Sequence, residues 1–177
     1  MKDNDQVYGA VTRLLHWGMA LALLWMFFTT SVRVVLEEGA LYDLVWPTHR
    51  NVGALLFLLA LLRVLWAWAN RGERPPAVNA LAPLGQRLLY ALMVVIPSLG
   101  LLRQFGSGRA FEPFGIPLMP GFEGDSIDWM VSAGSLFHGF LGWTLATLIL
   151  GHIAMALYHQ FGRRPDVLWR ITGRPRD

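Results

Sequence analysis

Cysteine is absent from the 177 residues, which excludes a disulfide framework, thiolate zinc sites, iron–sulfur clusters and covalently attached c-type haem. Charge is scarce as well. Asp, Glu, Lys and Arg make up 15% of the chain, where an ordinary soluble domain carries about 25%. That deficit, with a mean hydropathy of +0.41 and 54% hydrophobic residues, points to an integral membrane protein. Eight Trp and ten Phe are foreign to an unstructured chain and exclude disorder.

A membrane-spanning helix needs about 20 mostly apolar residues. Leu14 to Val32 contains no Asp, Glu, Lys or Arg, and Trp129 to Gly162 is the longest such run. Asn51 to Asn70 is interrupted only by Arg63, and Leu84 to Phe105 only by Arg87 and Arg103. Pro97 predicts a kink in the last of these, because proline removes a backbone donor. Four helices follow, joined by a polar turn at Glu37–Pro47, a proline-rich loop at Gly72–Pro83 and a longer loop at Gly106–Asp128. None reads as an interdomain linker, and no repeat is found. The expectation is an all-α, four-helix transmembrane bundle, with residues 1–177 forming a single domain.

Basic residues flank these helices unevenly. Lys2, Arg13, Arg71, Arg74, Arg87, Arg163, Arg164, Arg170, Arg174 and Arg176 fall on the side of the N-terminus, and Arg33, Arg50, Arg103 and Arg109 on the other. The positive-inside rule then puts both termini in the cytoplasm and the chain in a bacterial inner membrane. Lys2 is mixed with Asp3 and Asp5, so the first segment reads as a retained helix and not a cleaved leader. A pI of about 9.8 suits that topology and anionic lipid, and requires no nucleic acid.

Histidine is costly inside a bilayer and marks function there. All five, His16, His49, His138, His152 and His159, lie within or beside an expected span. His138 and His152 are fourteen residues apart, about 21 Å along a helix and within about 40° of one direction. No single ion bridges that gap. Helix direction sets His16 level with His152 on the cytoplasmic side, and His49 level with His138 on the outer side. Two bis-imidazole pairs in an apolar, cysteine-free bundle suit two non-covalent b-type haems. Two axial ligands leave the iron no open position, which favours electron transfer over oxygen binding.

Haem propionates need cations or a wet edge. Arg63 follows His49 by the same fourteen residues and is the first choice at the inner haem, with Arg50 and Arg103 for the outer one. The other reading of Arg63 is snorkelling to the interface. Gly18, Gly53, Gly139, Gly142 and Gly151 stand beside the histidines; they either admit the flat macrocycle or serve helix contacts. The Trp and Phe side chains read as mostly lipid-facing or interfacial.

Thr12-Arg13-Leu14-Leu15-His16-Trp17 opens helix one and Thr48-His49 opens helix two. Phe137-His138, Gly151-His152 and Tyr158-His159-Gln160 follow on helix four. From about Tyr8 to Gly173, the order and spacing resemble the bacterial cytochrome b561 family, four-helix dihaem membrane proteins that include superoxide oxidases. The resemblance implies that His16, His49, His138 and His152 are the haem ligands. It also implies electron transfer between the two membrane faces and a quinone. In superoxide-oxidising members, superoxide reaches the outer haem through a cationic entry and ubiquinone is reduced. Arg33, Arg50, Arg103 and Arg109 are the residues here that would form such an entry.

His159 lies seven residues beyond His152 at the cytoplasmic rim, where a neutral imidazole suits hydrogen bonding and proton supply to a quinone. Arg71 and Tyr158 are its possible companions, and interfacial anchoring or a propionate contact is the other reading. Two further functions stay open. One is a non-enzymatic relay passing electrons between quinone and a separate periplasmic protein, with the proline-rich Gly106–Asp128 loop as either a docking surface or only a lid over the outer haem. The other is a His-lined proton or metal-ion transporter, against which the paired spacing and the lack of intramembrane Asp or Glu argue.

Overall fold

The computed structural model describes residues 2–163 and 167–173; Arg164, Arg174 and Arg176 lie outside the described residues. Four helical stretches are long and apolar enough to cross a membrane: Ala10–Leu36, Ala40–Ala69, Ala82–Gly106 and Asp128–Gly162. The first is α1 (Ala10–Leu36). The second divides at Pro47 into a short α2 (Ala40–Val45) and α3 (Thr48–Ala69). The third is α4 (Ala82–Gly106), the fourth α5 (Asp128–Tyr158) with a π turn at His159–Arg163, and α6 (Val167–Thr172) follows. The expected bundle is present.

One detail differs from expectation. The segment Glu37–Pro47 is not a plain turn, because α2 occupies its middle. Gly39, at φ 108°, reverses the chain after α1. The following turn is then held by burial of Val45, 4% exposed, and by Trp46 stacking. Six residues are too few for periodicity to reveal such a helix. α4 runs through Pro97 as one helix, and gives up the one intrahelical bond that the proline nitrogen cannot donate.

Lipid is as apolar as leucine, so helix association rests on close packing and on hydrogen bonds rather than on escape from water. α1 packs along α3, α3 on α4, and α4 along α5. The tightest approach is at Gly134. A Cβ there would stand 2.6 Å from Arg103 Cβ and 2.8 Å from the Leu99 carbonyl oxygen. Gly134→Ala is therefore expected to overpack the α4–α5 seam and destabilise the protein by about 1–3 kcal/mol, seen as earlier thermal unfolding in detergent. Several hydroxyls within the spans donate to carbonyls of their own helices. Thr30 donates to the Met26 carbonyl, Ser98 to Val94 and Thr144 to Phe140, as a medium without water demands.

The apolar core lies at mid-height. Met19, Leu56 and Ala60 form one cluster, and Leu92, Ile96 and Leu145 another, with Leu23 and Met93 packed against both. Leu145 is seven residues from His138 and seven from His152. The end carrying the N-terminus is closed by a buried Asp3, 4% exposed. Its carboxylate accepts from the Gly9 N–H at 2.8 Å and the Thr12 hydroxyl at 2.7 Å. It also pairs with Arg74 at 3.3 Å. Trp66 of α3 donates its indole N–H to Thr12, so this knot joins the N-terminal segment, α1, α3 and the α3–α4 loop.

Candidate functional site

Four of the five histidines meet in pairs. His16, early in α1, faces His152, late in α5, with ring centroids 6.5 Å apart and planes at 49°. His49, the second residue of α3, faces His138, a third of the way along α5, at 6.2 Å and 67°. The pairs occupy opposite ends of the bundle, and the Leu145 layer lies between them. Fourteen residues of straight helix and the antiparallel run of α1 against α3 produce this arrangement.

At the His49/His138 end the free ring atoms are already assigned. Thr29 is fully buried, 0% exposed, and its hydroxyl lies 2.8 Å from the Met26 carbonyl and 2.8 Å from His49 Nδ1. A hydroxyl has one proton. Donated to Met26, it leaves the oxygen to accept from His49 Nδ1–H, so Nε2 keeps its lone pair. His138 Nδ1 is 2.8 Å from the Ile96 carbonyl oxygen, an acceptor only, which places the proton on Nδ1 there too. Both rings thus present an unprotonated Nε2. At the other end, His16 Nδ1 is buried without a hydrogen-bond partner among the described residues.

Cations accompany each pair. Arg63 is close enough to both His16 and His152 for their charges to interact, and its Nε donates to the Tyr90 hydroxyl at 3.3 Å. Arg33 stands in the same relation to His49, and Arg103 to His138. Arg50 is exposed and lines a cavity of about 310 Å³ with Asn51, Ala110, Phe111 and Glu112. His159 begins the π turn, its ring against Tyr158 at 5.5 Å and its Nδ1 buried without a partner among the described residues. Arg71 lies over Trp68, 5.7 Å from the ring centroid.

Sequence reasoning missed Thr29, Trp46 and the Ile96 carbonyl. It also read the Trp side chains as mostly lipid-facing or interfacial, and most are exposed, Trp17, Trp25, Trp68, Trp129, Trp143 and Trp169 among them. Trp46, however, stacks on His49 at 4.9 Å and 30°, and Trp66 and Trp25 donate to Thr12 and Thr48. Trp46 falls two residues after Leu44 in a segment read as a turn, and no periodicity marks it.

A family model described as prokaryotic cytochrome b561 matches residues 7–174. The chain belongs to the prokaryotic cytochrome b561 family. It is also similar to cytochrome b561 homolog 2 of Escherichia coli (strain K12), at 29% identity over 178 residues, 97% of this chain and 94% of that protein. As a b561 cytochrome it is a multi-pass bacterial membrane protein that binds b-type haem and works in electron transfer.

The donor set fits the haem of a b561 cytochrome. Among the described residues no group of three or more His, Cys, Asp or Glu is assembled that would hold a bare metal ion. Haem brings four nitrogens of its own and asks the protein for axial ligands only. A metal–imidazole bond of about 2 Å on each side, with about 1.2 Å from nitrogen to ring centre, sets the centroids about 6.4 Å apart. The observed 6.5 and 6.2 Å bracket that value. A Cβ added at Gly18, Gly139, Gly142 or Gly151 would meet nothing within 4 Å, whereas at Gly53 it would meet Met26 at 3.3 Å. Gly53 is a helix contact, and the other four make none at that position.

Proposed function

We propose that the chain is a dihaem cytochrome that carries electrons across the bacterial inner membrane from superoxide on the periplasmic side to ubiquinone. In this reading residues 1–177 form one domain with both termini cytoplasmic. His49 and His138 hold the periplasmic haem, and His16 and His152 the cytoplasmic one. The observation that carries it is two histidine pairs at metal-sized separation, at opposite ends of the bundle, with an apolar layer between. Bound there, the haems supply two one-electron redox centres.

The protein's own groups do the rest. Arg103 interacts with both Arg33 and Arg109, a cationic group that would draw an anion to the periplasmic end. Arg63, beside His16 and His152, suits a propionate. Thr29 and the Ile96 carbonyl hold their histidines in the tautomer a metal requires. His159, whose Nδ1 is buried without a partner among the described residues, would bond a quinone oxygen and pass it a proton. The chemistry balances. Two superoxide anions each give up one electron and leave as dioxygen, and ubiquinone takes two electrons and two protons to become ubiquinol.

Thr29→Val keeps the shape but strands His49 Nδ1–H. Loss of such a supporting contact is expected to weaken haem retention at that site about 10-fold, measured by transfer of haem to apomyoglobin. The function itself is tested by mixing oxidised, purified protein with a superoxide source and then with a soluble ubiquinone analogue. Reduction by the first and reoxidation by the second support the reading. Two haems inert to superoxide favour the relay alternative, for which the exposed Phe114 and Ile116, 61% and 59% accessible, in the Gly106–Asp128 loop would form the docking surface.

A further inference from the structure

At the end of the bundle that carries His49, three side chains form a column. The Arg33 guanidinium lies over the Trp46 indole, 4.4 Å from the ring centroid, and the His49 imidazole stacks on the same indole at 4.9 Å and 30°. Tyr42 extends the column from α2, at 6.4 Å and 24° from Trp46. The two-helix turn α2–Pro47–α3 exists to hold this geometry: it places Trp46 three residues before His49, where a helical chain brings side chains onto one another.

An imidazole bound through one nitrogen retains rotation about that bond, and its plane decides how it interacts with the metal orbitals. For His49 that rotation is restrained twice, at the edge by Thr29 and at the face by Trp46. His138 is restrained at its edge by the Ile96 carbonyl. The 67° between these two rings is therefore built in. His16 is different: Trp17 meets it edge-on, at 82°, and its Nδ1 has no partner among the described residues.

Building on the dihaem reading above, we propose that Trp46 and Arg33 are positioning residues for the His49/His138 haem: Trp46 fixes the plane of the His49 ring, and Arg33, seated over the Trp46 indole, holds Trp46 while placing a fixed positive charge near the site. Guanidinium over indole is a favoured pairing, so the column supports itself. A nearby cation stabilises the reduced, less positive centre and raises its midpoint potential. Arg33 is exposed, so this charge effect weakens with salt, whereas the orientation of the ring does not.

The test uses the full-length, haem-loaded protein in detergent, with low-temperature electron paramagnetic resonance of the oxidised form and a redox titration. The His49/His138 component is the one that His138→Ala abolishes. Trp46→Leu is expected to move the largest g-value of that component and leave the other unmoved, and Trp46→Phe, which keeps an aromatic face, to restore it. Arg33→Gln is expected to lower the midpoint of the same component alone, by a shift that shrinks at high salt. Should Trp46→Leu fail to load that haem, Arg33→Gln decides, because Arg33 is exposed and its replacement opens no buried cavity. Two components that stay at their wild-type positions in both variants overturn the positioning role. A wild-type protein lacking two components defeats the dihaem reading itself, which distinguishes the two failures.

Discussion

His138→Ala is expected to halve the haem bound by the purified protein, from two per chain to one. His138 is the only imidazole facing His49, and a haem held by one axial histidine at this end loses half of its protein ligation. The companion pair is insulated from the change. His152 is fourteen residues further along α5, about 21 Å away, beyond the range over which mutational effects couple. Leu145, 4% exposed, fills the level between. The remaining haem should keep its spectrum, because His16 and His152 are untouched. Haem content measured as the pyridine complex checks the result, and an unchanged content would show that these histidines are not a ligand pair.

The second large effect is kinetic. His159→Ala is expected to leave both haems in place and slow quinone reduction about 100-fold, the scale of a lost proton donor. Three observations single out His159: it is the one histidine outside the two pairs, its Nδ1 is buried without a partner among the described residues, and it starts a π turn. Such widened turns accompany functional sites because they break the regular backbone bonding. Reduction of the protein by its donor should be unaffected, so single-turnover mixing separates the two half-reactions. Loss of a haem in this variant would mean that the ligand set includes His159 and the pairing is wrong. An unchanged rate would move the quinone elsewhere.

The parts of this molecule that were legible in the sequence are those governed by one-dimensional rules. Uncharged runs locate α1, α3, α4 and α5, because bilayer thickness dictates their length. The fourteen-residue spacing of His138 and His152, with alternating helix direction, identifies which histidines meet, since rise and rotation per residue are constants of the α-helix. What escaped depends on how helices are rotated against each other. Thr29 reads as an ordinary threonine near a helix end until its hydroxyl is seen between Met26 and His49. Trp46 and α2 are invisible because their stability comes from contacts with Arg33 and His49 rather than from any local pattern. Arg33 and Arg103 interact with the far-end histidines, while Arg50, equally basic and closer in sequence to His49, points to a cavity shared with Glu112. Charge counting treats all three alike.

The central claim is that each end of the bundle holds one b-type haem. Its most direct measurement is the haem count per chain of the purified wild-type protein from haem-replete cells, with oxidised and reduced spectra. The account predicts two b haems per chain, both low-spin and both reducible. One haem, or a colourless protein, would contradict it and return the histidines to the proton or metal-ion pathway.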